Sequence, residues 1–229
     1  TITIPVVIMA GGKGTRLQPS THILPKPLIP MKGKAIIEHI ISEFKNYGVS
    51  NYFISLNYKS QLIKAFFSEL KLNCKINYLN EKKPLGTAGC LKLLQNKKLE
   101  NFFVINCDTI IKTNLNEFLK FHKESKNDIS VIGAINKVEI PYGVCEIGKN
   151  QKIKKIDEKP KINFLTNTGC YLVNKEILKL IPKDKYLDFT DLITLAISKK
   201  YKVGLYPIDR SEWIDVGNLD HISRLNEIE

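Results

Sequence analysis

The first 124 residues alternate between short, continuous apolar runs and longer segments in which apolar residues recur with the helical period. Such runs predict strands buried on both faces, and the periodic segments predict helices that pack on a sheet. The predicted strands are 6–9, 52–56, 75–79 and 102–105, and the predicted helices are 35–47, 59–70, 87–94 and 114–124, with Asn114 as an N-cap. Because parallel strands need helical crossovers, this order predicts an α/β fold with a mainly parallel sheet.

The middle of the chain has a different pattern, in which short strands are separated by turn residues. We expect strands at 129–135, 144–147, 153–156 and 169–173, forming a meander or subdomain inserted into the α/β part and facing the substrate. Helices near 175–180 and 190–199, a strand at 203–206 and a helix from Asn218 complete the prediction. No linker or internal repeat interrupts the pattern, so we expect one domain over residues 1–229.

The chain carries a net charge of +12, but only three of its 35 basic residues are arginine. Nucleic-acid readers favour arginine, whose planar fork pairs with phosphates and guanine edges. Because the lysines are scattered along the chain, we expect no nucleic-acid partner. A basic protein does suit an anionic substrate, such as a phosphorylated metabolite.

The cysteines and the N-terminus suggest where the protein works. The five cysteines are widely spaced and lack a C-x-x-C pair, which disfavours a zinc site or a disulfide framework and favours a reducing, cytoplasmic setting. The apolar run 4–10 is far shorter than a membrane span, so we expect no membrane partner. The chain begins with Thr1 rather than Met, and we expect it to be one domain of a longer polypeptide.

The residues that follow the first predicted strand form a glycine-rich stretch with two cations: Ala10, Gly11, Gly12, Lys13, Gly14, Thr15 and Arg16. Glycines let successive backbone N–H groups face an anion, and an arginine adds a bidentate phosphate donor. The spacing matches neither a P-loop nor the G-x-G-x-x-G dinucleotide fingerprint. We therefore predict a different kind of phosphate loop, with an ordinary glycine turn as the alternative.

Lys26 lies between Pro25 and Pro27, ten residues after the glycine-rich stretch. The two prolines restrict the backbone, so we expect an extended, rigid segment that presents the ammonium group as a second phosphate clamp. The alternative is a proline-rich loop with an exposed lysine.

The A-G-G-x-G-T-R-L stretch followed by P-K-P resembles the signature of the sugar-1-phosphate nucleotidyltransferases. Further segments resemble elements of that family in the same order, so that the resemblance covers residues 5–225. These segments are 84–89, 106–108, 141–144, 158–160, 167–169 and 213–217. The resemblance implies a Rossmann-like three-layer α/β/α fold, with a mixed, mainly parallel sheet and an inserted β-rich part that binds sugar.

The resemblance also implies the reaction and the residue roles. The family transfers a nucleoside monophosphate from a triphosphate to a sugar-1-phosphate, with release of pyrophosphate. The catalytic positions would be Arg16, Lys26, Asp108, Lys159 and Asp215. The nucleotide-binding positions would be Ala10, Gly11, Gly12, Lys13, Gly14, Thr15, Arg16, Glu81, Pro84, Gly86 and Thr87. The sugar-binding positions would be Tyr142, Gly143, Glu158, Lys159, Asn167 and Thr168.

The chemistry of this reaction agrees with these residue types. Two polyanions must be brought together, and the attacking phosphate oxygen is already ionised, so cations and backbone dipoles matter more than a general base. Asp108 follows a predicted strand and Asp215 lies far along the chain. Two carboxylates near substrate phosphates are what Mg²⁺ uses, so we expect Mg²⁺ as cofactor. The alternative for Asp108 is a turn or helix cap.

Three departures from the family pattern bear on specificity. Cys107 replaces the usual glycine before Asp108, Lys13 occupies a variable position, and Glu81-Lys82-Lys83 replaces the glutamine-containing loop of the thymidylyltransferases. Guanine presents two N–H donors that a carboxylate can accept, so we expect GTP. The chain most resembles the glucosamine-1-phosphate guanylyltransferases of legionaminic acid synthesis, which often carry N-terminal CBS domains.

Several alternatives remain open from the sequence. The sugar could be mannose- or heptose-1-phosphate, and the enzyme could use another nucleoside triphosphate. A domain that binds nucleotide-sugar without turnover is disfavoured by the charged residues named above. A GT-A glycosyltransferase would not need the glycine-rich stretch. A homo-oligomer is also left open.

Overall fold

The computed structural model describes residues 1–12, 14, 21 and 23–217. The predicted phosphate-loop residues Lys13, Thr15 and Arg16, and the helix expected from Asn218, lie outside the described residues.

The described part of the chain contains strands and α-helices in the order expected for an α/β protein. The strands are β1 (Val6–Met9), β2 (Pro30–Met31), β3 (Lys34–Ala35), β4 (Asn51–Leu56), β5 (Lys75–Asn80), β6 (Asn101–Asn106), β7 (Thr109–Ile111), β8 (Ile129–Glu139), β9 (Val144–Ile147), β10 (Ile153–Asp157), β11 (Lys161–Asn174), β12 (Val203–Asp209) and β13 (Trp213–Asp215). The helices are α1 (Ile36–Lys45), α2 (Ser60–Glu69), α3 (Gly86–Gly89), α4 (Leu115–Glu124) and α5 (Phe189–Ser198).

The central sheet has seven strands in the order β12-β8-β11-β6-β1-β4-β5. Strands β6, β1, β4 and β5 are mutually parallel, β12 is parallel to β8, and β11 is antiparallel to both of its neighbours. The prediction of a mixed, mainly parallel sheet is therefore confirmed.

Two apolar cores cover the two faces of this sheet, which confirms the three-layer arrangement. On one face α1, α2 and α4 pack on the sheet, and Phe44 and Phe103 meet edge to face at 5.3 Å. On the other face α3 and α5 pack on the sheet, and Phe189 stacks on Tyr171 at 3.6 Å. Aromatic pairs of this kind add to the free energy gained from burying their area.

The register of the parallel strands places their C-terminal ends level with one another. Met9 lies opposite Ser55 of β4 on one side and Asn106 of β6 on the other. Ser55 in turn lies opposite Leu79 of β5. The loops that follow β1, β4, β5 and β6 therefore leave the sheet at one edge, where α/β proteins bind their ligands.

The β-rich part is more closely integrated than the prediction of a meander or subdomain attached to the sheet. β8 and β11 are long strands of the central sheet, paired from Lys161 opposite Glu139 to Val173 opposite Ile129. Only the hairpin of β9 and β10 is inserted between them. The outer halves of β8 and β11 mix polar and apolar side chains and are largely exposed. Because the prediction looked for short buried strands, it included only the buried part of each strand.

Several smaller predictions can also be compared with the structure. Asn114 caps α4, since its side chain accepts hydrogen bonds from the backbone N–H groups of Asn116 and Glu117. The helix predicted at 87–94 is α3 followed by a 3₁₀ helix, Cys90–Leu94. The helix predicted at 175–180 is a short 3₁₀ helix, Lys175–Lys179. All five cysteines are free. Within the described residues, no helix has both the length and the apolar character needed to cross a membrane.

A buried histidine makes the stability of the fold depend on pH. His122 is 3% exposed, and its ring nitrogens hydrogen-bond to Ser130 Oγ at 2.9 Å and to Asn101 Oδ1 at 3.3 Å. Burial lowers the pKa of His122 to about 4. Since the unfolded-state pKa is higher, about 6.5, this contribution to stability is complete above that value and is lost as the pH falls toward 4.

We expect the free energy of unfolding to fall by about 2 kcal/mol between pH 7 and pH 4.5 because of His122. Urea unfolding of the wild type and of His122→Asn at the two pH values measures this effect. The variant should lack most of this pH dependence, and His39→Asn controls for the loss of a histidine elsewhere. Equal pH dependence in the wild type and His122→Asn would contradict the prediction.

Candidate active site

A cavity of about 380 Å³ opens at the sheet edge where β1, β4 and β6 end. Its described lining comes from the glycine-rich stretch, the loops after β5 and β6, and a segment before α5. The lining residues are Met9, Gly11, Gly12, Gly14, Lys26, Ser55, Glu81, Pro84, Leu85, Gly86, Thr87, Asn106, Cys107, Asp108, Tyr186 and Asp188.

The described glycines of the glycine-rich stretch stand close to other parts of the cavity. A Cβ atom at Gly11 would lie 2.4 Å from Glu81 Oε1, so only glycine fits there without a shift. Gly14 has φ +63°, and a Cβ there would lie 2.9 Å from Thr21 and 3.0 Å from the Cβ of Lys26. Within the described residues nothing lies within 4 Å of a Cβ built at Gly12. The backbone at Gly11 and Gly14 is therefore packed closely against other residues, and all three described glycines line the cavity.

The start of the glycine-rich stretch is fixed by strand β4. The backbone N–H of Ala10 donates a hydrogen bond to Ser55 Oγ at 3.1 Å, and Ser55 is buried. Ser55 also lowers the pKa of the Glu81 carboxyl group in part. One side chain near the end of β4 thus holds the stretch after β1 and influences the loop after β5.

Lys26 forms an ion pair with Asp108 inside the cavity. The distance from Lys26 Nζ to Asp108 Oδ2 is 2.5 Å, and Lys26 is 9% exposed. The expected extended segment is instead a 3₁₀ turn, Lys26–Leu28, in which Pro27 is tolerated because an early turn position needs no N–H donor. The lysine is buried rather than exposed, because the turn points it under the glycine-rich stretch.

Asp215 reaches Asp108 through a short strand pair that the sequence did not predict. β13 is antiparallel to β7, with Asp215 opposite Thr109, and Val216 N–H donates to the Asp108 carbonyl at 2.9 Å. A Cβ built at Gly217 would lie 2.9 Å from Asp215 Oδ1 and 3.2 Å from Asp108 Oδ2. Both carboxylates therefore lie close to Gly217, whose N–H donates a hydrogen bond to Asp215 Oδ1 at 2.8 Å.

Asp108 and Asp215 suit a Mg²⁺ ion that is shared with substrate phosphates better than a metal ion that is held by protein side chains alone. In the described ranges, no three His, Cys, Asp or Glu side chains are placed to hold one ion. Mg²⁺ is commonly held by one or two carboxylates together with substrate phosphates and water. Asp108 and Asp215 are the residues that could hold it.

Cys107 is a buried part of the cavity wall. Burial, together with the neighbouring Asp108 charge, raises the pKa of the Cys107 thiol to about 12. The side chain that replaces the family's glycine is therefore a neutral thiol at physiological pH.

Glu81 lines the same cavity as Lys26 and Asp108. Its Oε2 accepts a hydrogen bond from Leu85 N–H at 3.0 Å, and its backbone carbonyl accepts one from the Asn57 side chain at 3.0 Å. Burial raises the pKa of Glu81, and the hydrogen bonds from Leu85 and Ser55 lower it in part. The carboxylate is thus held in place, with Oε1 beside Gly11 and facing the cavity.

The loop predicted to contact the nucleotide, residues 84–87, lines the same cavity beside Glu81. Pro84, Gly86 and Thr87 line the cavity, and Gly86 has φ +76°. The predicted nucleotide positions that the structure describes are therefore brought together, apart from Ala10, whose backbone is tied to Ser55 behind the cavity.

The predicted sugar-site residues of the hairpin region lie together but do not line this cavity. Lys159 N–H donates to the Tyr142 carbonyl at 3.3 Å, and a Cβ at Gly143 would lie 3.0 Å from Glu158 Oε2. Tyr142 is 73% exposed. Lys159 adopts φ +46°, a conformation uncommon for residues other than glycine and frequent at functional sites.

Asn167 and Thr168 lie in a β-bulge of β11 beside the end of β6. The pairing with β8 shifts between Asn167 and Tyr171, and the Thr168 carbonyl accepts a hydrogen bond from the Thr109 hydroxyl at 2.7 Å. Thr168 is buried, with its hydroxyl donating to the Ile132 carbonyl at 2.8 Å. The structure therefore gives the Thr168 side chain a packing role, next to the residue that follows Asp108.

The sequence analysis missed three polar residues of the cavity, Ser55, Tyr186 and Asp188, and it named Asn106 only as part of the segment 106–108. Ser55 and Asn106 end the parallel strands β4 and β6, and that position was a usable signal. Tyr186 and Asp188 lie about 100 residues from the loop that they contact. No local pattern marks them.

Comparisons with known proteins agree with this geometry. The nucleotidyl transferase family profile matches residues 5–228. Mannose-1-phosphate guanylyltransferase 1 of Arabidopsis thaliana is 38% identical over 233 residues, which cover 96% of this chain and 63% of that protein. The bifunctional protein GlmU of Methanococcus maripaludis is 32% identical over 225 residues, which cover 93% and 51%. The chain thus spans between half and two thirds of the length of these curated relatives.

A solved structure has the same fold over nearly the whole chain. The crystal structure of HddC from Yersinia pseudotuberculosis matches with a TM-score of 0.76 and 26% identity, covering 98% of this chain and 99% of that one. HddC complexed with GMP-PN matches with a TM-score of 0.74.

Proposed function

The chain belongs to the nucleotidyl transferase family, and on that premise we propose that it transfers GMP from GTP to a sugar-1-phosphate and releases pyrophosphate. The observation that carries this proposal is a cavity lined by the Lys26–Asp108 ion pair and by Glu81, with Asp215 close to Asp108 at Gly217. The ion pair and Asp215 suit the binding of phosphates, and Glu81 suits a base with N–H donors.

The reaction needs charge neutralisation more than proton transfer. A phosphate oxygen of the sugar-1-phosphate attacks the α-phosphorus of GTP, and the bond from that phosphorus to the bridging oxygen of the β-phosphate breaks as pyrophosphate leaves. The attacking oxygen is already ionised at neutral pH. In agreement, no histidine is among the described residues that line the cavity.

The protein groups at the phosphate end act by position and charge. The Lys26 ammonium lies in the cavity and is available to phosphate oxygens once Asp108 has another cationic partner. Asp108 and Asp215 would hold Mg²⁺, which supplies neutralisation and orientation of phosphates when bound. Gly12 lines the cavity, and its lack of a side chain would allow close approach of the triphosphate.

The Glu81 carboxylate supports guanine as the base. Guanine N1–H and N2–H can both donate to a carboxylate, whereas adenine offers only the N6 amino donors at the corresponding edge. Oε2 already accepts from Leu85, and Oε1 faces the cavity beside Gly11. The complex of HddC with GMP-PN is consistent with a guanine nucleotide in this fold.

Glu81→Gln is expected to lower kcat/KM for GTP about tenfold or more while changing the values for ATP and UTP much less. Glutamine keeps an oxygen for Leu85 N–H but replaces the second acceptor with a donor, so the base contact is lost without loss of the loop. Steady-state kinetics with each nucleotide measure the change, and Glu124→Gln on the exposed end of α4 is the matched control. An unchanged preference for GTP would refute this role for Glu81.

We propose glucosamine-1-phosphate as the first sugar substrate to test, from the sequence likeness. Mannose-1-phosphate is the second candidate, because relatives with 36–38% identity are named as its guanylyltransferases. Glu158 and Lys159 are proposed to contact a sugar hydroxyl and the sugar phosphate. Their position beside Tyr142 and Gly143 groups four of the expected sugar contacts at the base of the β9–β10 hairpin.

Pyrophosphate release tests the proposed function directly. The purified chain is mixed with Mg²⁺, each of four nucleoside triphosphates, and glucosamine-, mannose- or heptose-1-phosphate. Release with GTP and one of these sugars is the expected result. Release with another nucleotide would overturn the guanine assignment, and GTP binding without release from any sugar would favour a non-catalytic domain that binds nucleotide-sugar.

A further inference from the structure

A segment from the last third of the chain is fastened to the loop that contacts the nucleotide. We call residues 185–189 the clamp segment and residues 84–89 the base loop. Leu187 N–H donates to the Leu85 carbonyl at 2.9 Å, and the Leu187 carbonyl accepts from Ala88 N–H and Gly89 N–H at 2.9 and 3.1 Å. The base loop is therefore fixed by a distant segment as well as by Glu81.

Asp188 is the centre of the side-chain contacts between the two segments. Its Oδ1 accepts from Thr87 N–H at 3.2 Å and from the Thr87 hydroxyl at 3.4 Å, and its Oδ2 accepts from the Tyr186 hydroxyl at 3.0 Å. The Thr87 hydroxyl oxygen accepts from Phe189 N–H at 2.8 Å. One carboxylate thus ties a residue of the base loop to a tyrosine of the clamp segment.

Two glycines of the base loop permit this close approach. Gly86 has φ +76°, and a Cβ there would lie 2.5 Å from the Leu187 carbonyl oxygen. A Cβ at Gly89 would lie 2.6 Å from the Lys185 carbonyl oxygen. Backbone atoms cannot yield as a flexible side chain can, so the base loop is built for contact with the clamp segment.

The clamp segment is anchored on one side and faces the cavity on the other. Phe189 is buried and stacks on Tyr171 of the central sheet. Tyr186 and Asp188 line the cavity beside Pro84 and Gly86, although Tyr186 is 64% exposed. Asp188 therefore helps to fix the base loop relative to the central sheet.

We propose that Asp188 is a positioning residue for the nucleotide. It holds Thr87, and with it the base loop, in the conformation in which Pro84 and Gly86 face the cavity, and it fixes the Tyr186 ring at the cavity wall. This inference rests on the proposed function in that its ligand is GTP. The hydrogen bonds of Asp188 go to Thr87 and Tyr186, so we expect its effect to fall on nucleotide affinity rather than on the chemical step.

The test compares Asp188→Ala with Asp188→Asn and with the control Asp191→Ala, an exposed carboxylate in the first turn of the same helix. Calorimetric titration gives the Kd for GTP, and steady-state kinetics give KM and kcat. Asp188→Ala should raise Kd and KM for GTP about tenfold, with kcat and the KM for the sugar-1-phosphate nearly unchanged. Asparagine keeps an oxygen acceptor for Thr87 and should restore most of the affinity, and Asp191→Ala should behave as the wild type.

An unchanged Kd for GTP in a folded Asp188→Ala variant overturns the proposal, as does a rise in the sugar-1-phosphate KM alone. If Asp188→Ala does not fold, Thr87→Val removes the hydroxyl from the other end, and a similar rise in Kd is expected; no rise overturns the proposal. If the wild type binds another nucleotide instead of GTP, the same comparison with that nucleotide decides the role of Asp188, and only the base assignment is wrong. A wild type that binds no nucleoside triphosphate overturns both.

Discussion

Replacing Asp108 with asparagine is expected to lower kcat about a thousandfold, because the variant loses one of the two carboxylate charges that lie close to Gly217 and could hold Mg²⁺. Asparagine has nearly the same size and keeps an oxygen for Lys26 and the backbone contact to Val216, so the fold should persist. Pyrophosphate release with GTP and the preferred sugar measures kcat. The Mg²⁺ concentration needed for half-maximal activity should rise in the same variant.

Asp184→Asn is the matched control for this experiment. Asp184 is exposed and has φ +54°, a conformation that asparagine tolerates. The control should retain wild-type kcat and thermal stability. A kcat for Asp108→Asn within threefold of the wild type would show that Asp108 has only a structural role, such as capping the turn after β6.

Replacing Lys26 with methionine is expected to lower kcat/KM by about two to three orders of magnitude. Methionine keeps the apolar stem that packs against Gly14 but removes the ammonium group from the cavity. The loss should fall on both GTP affinity and turnover, since a cation near the phosphates acts on the bound substrate and on the transition state. Lys34→Met, an exposed position on β3, is the control.

The double variant of Lys26→Met and Asp108→Asn tests whether the two side chains contribute to catalysis as a pair or independently. The two side chains are 2.5 Å apart, so their effects should not add. We expect the double variant to lose less than the product of the two single losses. A strictly multiplicative loss would mean that the ion pair has no part in the reaction.

Most of the sheet could be predicted from the sequence because a local run of apolar residues marks most of its strands. The runs that became β1, β4 and β6 are apolar on both faces, and their spacing from amphipathic helices specifies parallel pairing. From that follows the position of Asp108 at the ligand-binding edge. The extent of β8 and β11 could not be predicted, since their outer halves are exposed and lack the buried pattern.

The candidate site was only partly predictable for a related reason. Glycines and a lysine between prolines mark their own positions, but the burial of Lys26 against Asp108 depends on contacts 82 residues apart. The pairing of β13 with β7 rests on two three-residue strands, too short to show a period. Asp188 acts on Thr87 across 101 residues, and only the folded chain brings the two together.

The contact between Gly11 and Glu81 has a consequence for how this protein can change over evolution. Any side chain at position 11 would meet the Glu81 carboxylate, and a shorter acid at position 81 would withdraw that carboxylate from the cavity. Neither position can therefore vary alone without altering the contact, so the two positions should covary. A lineage that changes its base preference would be expected to pass through paired substitutions, which makes a combined library at positions 11 and 81 the natural starting point for redesigning nucleotide choice.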